Sequence, residues 1–331
     1  MTRTLASLAP VFLFLLVLVF LDSYKLVRLR SVLTAVVAGT FAAGASLLVG
    51  TWLVHLFSME VRDYSRFLAP FVEESLKALY LLYLLRSRQI GFLVDAAILG
   101  FAVGAGFAVV ENVWYLYSQP VDNPLVWLVR GFGTALMHGG ATCLLALIAR
   151  ALGDRAGAAA RWRLVPALAA AVLVHGGFNW FLLPPVVATA ALVVILPVLA
   201  ILVFSRSERS LRGWLGSGFD TDVALLEMVQ SGRFTASRAG QYLVSLQARM
   251  PAETIVDALC YLRIYLELSV RAKGVLLMRE SGYVPQPDPK VSARLEELGY
   301  LRKRIGQTGV LALSPLLRLG SRELWQLTML K

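Results

Sequence analysis

The sequence predicts an all-α, polytopic membrane helix bundle of about seven transmembrane helices, with a helical cytoplasmic domain at its C-terminal end. Three observations carry this. Of the 331 residues, 58% are hydrophobic and 16% charged, against about 25% charged in soluble domains. Mean hydropathy is +0.68. Seven stretches approach or exceed the roughly 20 apolar residues that a helical bilayer crossing needs at about 1.5 Å per residue, after which the sequence turns polar. The net charge of +11 would suggest nucleic acid in a soluble chain, but basic loops follow from membrane topology alone; no nucleic-acid partner is expected. Cys143 and Cys260 provide neither a disulfide scaffold nor a Cys/His metal spacing.

The first stretch, residues 5–21, reads as a retained helix and not a cleaved signal peptide. No Ala-x-Ala-like site follows Leu21, and the chain runs on into Asp22, Ser23 and Tyr24. The others run over 31–57, 67–85, 94–117, 125–149, 164–183 and 186–204. Basic residues divide between the connecting loops. Lys25, Arg28 and Arg30 lie in the first, Arg86 and Arg88 in the third, and Arg150, Arg155, Arg161 and Arg163 in the fifth, while the even loops carry only Arg62 and Arg66. The positive-inside rule then puts the N-terminus outside and residues 205–331 in the cytoplasm. Within 205–331, helical spacing of apolar residues at 223–230 and 255–270 predicts helices, broken at 282–289 by Pro285, Pro287 and Pro289. No nucleotide loop, metal motif or repeat occurs there, which suits a regulatory or interaction domain.

Ionisable groups inside spans cost about 2.5–3.5 kcal/mol each on insertion scales and usually mark a site or a wet cavity. Here the third span carries Glu73, Glu74 and Lys77, the fourth Glu111 and Asn112, the fifth His138, and the sixth His175 and Asn179. Lys77 is four residues from Glu73 and three from Glu74, so it can neutralise one carboxylate and leave the other available. Gly100, Gly104, Gly106, Gly139, Gly140, Gly176 and Gly177 lie on the same helices and permit close backbone approach. Counted from the outer helix ends, Glu73, Glu111 and His175 lie about 9–12 Å deep and His138 about 19 Å. Either the fifth helix starts later than drawn or His138 forms the floor of the site. Such a set could activate water for peptide hydrolysis, ligate a metal or relay protons in a carrier.

Each group also has a bland reading. Glu73, Glu74 and Lys77 could be an ion pair locking helices, Glu111 could snorkel, and either histidine alone could be a core residue. Their convergence on neighbouring spans favours one shared site. Asp95 sits in the first turn of its helix, where a carboxylate suits the helix dipole. His55 and Arg130 lie near outer helix ends and can reach the interface. These three are not assigned to chemistry, and the GAGFAVV run at 104–110 reads as packing, since no strand precedes it.

The order EESLK from Glu73 to Lys77, DAAILGFAVGAGFAVVEN from Asp95 to Asn112, His138, and HGGFN from His175 to Asn179 resembles the PrsW family of bacterial intramembrane proteases, relatives of the type II CAAX prenyl proteases and bacteriocin-immunity proteins. The resemblance covers about residues 66–182. It implies an endopeptidase of the bacterial plasma membrane acting on a membrane-bound protein, typically an anti-sigma factor cut near the outer face. By that similarity Glu73 and Glu74 form the essential pair, Glu111 is the second-motif carboxylate, and His138, His175 and Asn179 belong to the active site. The chain departs from the CAAX relatives in having EExxK for EExxxR and Glu111 where they carry histidine. It lacks HExxH, a GxSG serine motif and GxGD.

The resulting expectation is a protease domain over 1–204 that needs no cofactor. One glutamate of the pair activates water, Lys77 holds the other, and His175 with Asn179 stabilises the carbonyl oxygen, while Glu111 and His138 complete the cavity. The alternatives are a zinc enzyme using Glu74, Glu111, His138 and His175, a non-catalytic scaffold or immunity protein, and a proton-coupled carrier.

Overall fold

The computed structural model describes residues 2–118, 121–153, 164–283, 285–286, 288–317 and 320–330. Every regular element among the described residues is helical, as the composition predicts. The chain divides into two compact units, Met1–Ser207 and Glu208–Lys331.

In the first unit α1 spans Thr2–Leu21 and α2 Leu29–Phe57. A single turn, α3 (Val61–Asp63), leads into a π-helical segment, Tyr64–Leu68, and then α4, Ala69–Arg86. α5 is Leu93–Ser118. Short α6, Pro124–Leu128, leads through a second π-helical segment, Val129–Ala135, into α7, Leu136–Gly153. α8 is Leu164–Asn179 and α9 Pro185–Gln230. Among the described residues, five stretches are long and apolar enough to cross a membrane: α1, α2, α5, Pro124–Gly153 and α9. This is a multi-pass membrane protein. The other two expected spans are helical but less typical. α4 carries Glu73, Glu74, Lys77 and Arg86, and α8 has only 16 residues.

α9 departs most from expectation. It continues for 46 residues instead of ending near 204, because the polar stretch after Phe204 has no proline and gains an i,i+4 pair between Glu208 and Arg212 at 3.1 Å. Arg155, Arg161, Arg163 and Pro287, used in the sequence reading, lie outside the described residues.

α5 is the central helix of this unit. Every residue from 94 to 108 is buried, with α1, α2 and α7 packed around it. Glycines make the contacts possible. A Cβ on Gly39 would lie 2.0 Å from the Val103 carbonyl oxygen, one on Gly106 1.9 Å from that of Val36, and one on Gly104 2.3 Å from that of His138. The outer surface presents large apolar side chains such as Phe20, Phe41, Leu48 and Leu173, which suits lipid as the surrounding solvent.

The second unit contains residues 208–230 of α9, α10 (Arg238–Ser245), α11 (Ala252–Glu280), α12 (Lys290–Ala312) and α13 (Ser321–Met329). Its core joins Leu262 and Leu266 of α11 to Leu298, Leu301 and Ile305 of α12. α11 and α12 are separated by residues 281–289, where the prolines predict a break. Asp222 accepts from Lys273 at 2.7 Å inside this unit.

Gly106→Val would drive a side chain into the α2 backbone, an overpacking cost of about 1–3 kcal/mol or more. The expected result is a melting temperature several degrees lower in detergent. Gly44→Ala, with nothing within 4 Å of the new Cβ, should leave it unchanged.

Candidate active site

Four helices bring the predicted residues together. On α4, Glu74 and Lys77 are fully buried, and Lys77 Nζ donates to Glu74 Oε1 at 2.6 Å. The spacing permits Lys77 to neutralise either glutamate, and the structure pairs it with Glu74. Lys77 Nζ also lies 3.1 Å from His138 Nδ1 and 4.2 Å above the Phe107 ring. Glu74 is further held by His175 Nδ1 at 2.9 Å and by the Thr142 hydroxyl, which donates to Oε2 at 3.4 Å.

A second ion pair closes the other side. His138 Nε2 is 2.6 Å from Glu111 Oε2, and Arg130 Nη2 donates to Glu111 Oε1 at 3.1 Å. Arg130 Nε donates to Asn112 Oδ1 at 3.0 Å, and the guanidinium lies 3.5 Å over the Tyr115 ring. Asn112 donates to the Ser7 carbonyl at 2.8 Å, tying α1 to the site. The His138 and His175 rings meet edge to face at 4.7 Å. His138 therefore shares the level of the carboxylates. It lies on a helical stretch that starts at Pro124, close to where the fifth span was drawn, and passes through the π-helical segment into α7.

Glu73 stands apart. Its Oε2 is buried without a hydrogen-bond partner among the described residues, 3.8 Å from His175 Nε2. Since His175 Nδ1 faces the Glu74 carboxylate, the proton is assigned to Nδ1, which leaves Nε2 a lone pair toward Glu73. Two acceptors facing each other at that distance invite a bridging donor or a cation between them. Glu73 and Glu111 also line a cavity of about 420 Å³ between α2 and α5.

The PrsW family of intramembrane metalloproteases is matched over residues 25–204. The chain belongs to this family. No curated protein and no solved structure matches it. The PrsW match begins after α1 and contains Glu73, Glu74, Lys77, Glu111, Arg130, His138, His175 and Asn179.

The PrsW description implies a metal, and the residues present fit one. Glu73, His138 and His175 each offer a ligand atom, all within 4.8 Å of one another, a His₂Glu set suited to zinc. Each histidine is also backed by a carboxylate, Glu111 on His138 and Glu74 on His175, as metal-binding histidines commonly are. This grouping has Glu73 in place of Glu74 and Glu111, because those two already neutralise Lys77 and Arg130.

Asn179 is placed differently from the expected oxyanion donor. Its amide donates to the Ser65 carbonyl at 3.0 Å, pinning the end of α8 to the first π-helical segment. Asp95 accepts from the amides of Gly91 and Phe92 at 2.7 and 3.1 Å, an N-terminal capping arrangement away from the cluster. Arg130 is the residue that sequence reasoning missed. Its signal was a lone cation eight residues before His138 in an apolar segment, and the intervening π turns put both on one face.

Lys77→Met would leave the Glu74 charge buried and unpaired, which costs about 3–5 kcal/mol. Loss of folded protein is expected, read as membrane abundance and melting temperature. Lys77→Met/Glu74→Gln should recover most of it. Equal loss in the single and double variants would count against a pair that works as a unit.

Proposed function

We propose that this intramembrane protease hydrolyses its substrate with Glu73 as the group that activates water. The observation that carries this reading is the buried, unpartnered Glu73 Oε2 facing the His175 Nε2 lone pair. A water held there donates one hydrogen to each acceptor. As its oxygen bonds to the scissile carbonyl carbon, the proton passes to Glu73. When the C–N bond breaks, Glu73 returns that proton to the leaving amine. Glu74 holds His175 in the tautomer that accepts from water, and Lys77 fixes Glu74 in place. Glu111 and Arg130 hold the His138 ring against His175, and Asn179 positions α8.

Zinc chemistry is the second reading, supported by the Glu73, His138 and His175 grouping. Those three would hold the ion, which supplies Lewis-acid activation of water. Both ring nitrogens of His138 already have partners, Lys77 and Glu111, so one must be released for a metal. Direct activation by Glu73 needs no such rearrangement and is the leading reading.

The substrate is a membrane-bound protein, and we assign it to single-pass proteins with short extracytoplasmic stubs, anti-sigma factors being the class that the family resemblance implies. Loop charges support a plasma-membrane orientation with the N-terminus outside and the C-terminal unit in the cytoplasm. That unit is assigned a regulatory or interaction role.

The test is purified protein in liposomes with a panel of such single-pass proteins. Glu73→Gln should lower kcat by about 10²–10⁴-fold, the usual worth of a general base, at unchanged melting temperature, and His175→Ala should abolish cleavage. Activity that survives chelator supports Glu73 acting alone. Activity that chelator removes and zinc restores, with zinc content lost in Glu73, His138 and His175 variants alike, selects the metal reading. Collapse of the fold in the Glu73 and His175 variants would return both residues to a packing role.

A further inference from the structure

α2 and α5 meet backbone to backbone at Gly39 and Gly106 and then part. From Ala43 and Phe107 onward they form the two walls of the 420 Å³ cavity, a wedge that Glu73 and Glu111 also line. Tyr64, from the π-helical segment before α4, also lines it. Gly50 makes room for this ring. A Cβ there would lie 2.6 Å from the Tyr64 hydroxyl oxygen, so a side chain on α2 at that point would push the phenol away.

The Tyr64 hydroxyl oxygen is buried without a hydrogen bond of full geometry among the described residues, and the Ser46 side chain is its hydrogen-bonding neighbour. One cavity thus holds a loosely held potential donor on Tyr64 and an orphaned acceptor on Glu73. Buried polar groups are nearly always paired, and an orphaned acceptor sharing a cavity with a loosely held hydroxyl points to a ligand with a complementary pair. Peptide hydrolysis requires such a pair. The base takes the proton of water, and a donor must meet the carbonyl oxygen as it gains charge. The nearby cationic donors are committed: Lys77 to Glu74 and His138, Arg130 to Glu111 and Asn112. The Asn179 amide donates to Ser65.

We propose that Tyr64 is a catalytic residue whose hydroxyl donates to the carbonyl oxygen of the scissile peptide, with Gly50 as the positioning residue that admits its ring. The peptide lies in the wedge as an extended segment whose neighbouring side chains are apolar, matching Val54, Val110 and Trp114 on the walls. As water adds to the carbonyl carbon, the carbonyl π pair moves onto oxygen and is met by the Tyr64 O–H. No proton is transferred there, and the bond weakens again when the C–N bond breaks. This inference rests on the proposed hydrolysis by Glu73.

The decisive variant is Tyr64→Phe, assayed on a single-pass membrane protein that the wild type cleaves. Its kcat should fall about 10²-fold, the low end for one oxyanion donor, with KM and melting temperature unchanged. Gly50→Ala should give a loss of the same kind, and the double variant should be no worse than Tyr64→Phe alone. A Tyr64→Phe variant with wild-type kcat, or one that loses only KM or stability, overturns the proposal.

A second measurement holds even if Tyr64→Phe folds poorly. In a Cys143→Ala/Cys260→Ser/Glu73→Gln background, Val54→Cys inside the wedge should form a disulfide with a cysteine placed beside the cleavage site of the same substrate. Leu48→Cys, on the outer face of α2, should not. Equal or absent crosslinking from position 54 overturns the binding mode. Failure of the hydrolysis reading looks different: no cleavage by the wild type, or a Glu73→Gln variant as active as it, removes both proposals together.

Discussion

A carboxylate and an ammonium taken wholly out of water each lose several kcal/mol of hydration, and only a well-placed partner returns it. The Glu74–Lys77 pair, at 2.6 Å with both side chains fully buried, meets that constraint, and the rest of the site is arranged around it. Lys77 spends its other contacts on His138 and the Phe107 face, and Glu74 spends its own on His175 and Thr142. One ion pair on α4 thereby sets the orientation of groups on α5, α7 and α8. Arg130 and Glu111 repeat the solution where the site is partly open. With Lys77 balancing Glu74 and Arg130 balancing Glu111, Glu73 is the carboxylate of the cluster without a cation of its own. That asymmetry separates the reactive group from its neighbours.

Such short contacts across helices demand unusual backbone proximity. The glycines of α2 and α5 supply it at Gly39, Gly104 and Gly106, where each missing Cβ would fall within about van der Waals exclusion of a carbonyl oxygen. Rotational phase is the second requirement. Both α4 and α7 are entered through π-helical segments, which shift the register of the side chains before them and are frequent at functional sites. Tyr64 and Arg130 owe their inward placement to those segments.

Much of this was legible in the sequence. The helical class, the charge-bearing helices, the glycine seams and the first-turn place of Asp95 follow from composition and from spacing within single helices, where i,i+3 and i,i+4 geometry is dependable. What depends on phase between helices was not legible. The choice of Glu74 over Glu73 for Lys77 turns on His175, 101 residues away from Glu74. Arg130 read as an interfacial cation because it lies near an outer helix end, and Tyr64 falls between two stretches read as spans. A π turn leaves no period in a stretch of mixed apolar residues. The length of α9 was hidden for a different reason: the composition changes at Ser205 while the helix, which lacks a breaker there, does not.

A peptide bond inside a bilayer presents a particular difficulty, since the substrate arrives from lipid and water must arrive from elsewhere. The cavity between α2 and α5 answers both needs through its uneven lining. Val54, Val110 and Trp114 make much of its wall apolar, while Glu73 and Glu111 also line it. An extended peptide whose side chains suit the apolar walls gives up little on leaving lipid, but its backbone carbonyl and amide groups must find partners wherever helix hydrogen bonds are lost. The Tyr64 hydroxyl and the unpartnered Glu73 oxygen line the same cavity, where that need arises. In a site whose other charges are already neutralised, they are the groups left to meet a substrate and a water, so the economy that stabilises the bundle also confines the chemistry to this cavity.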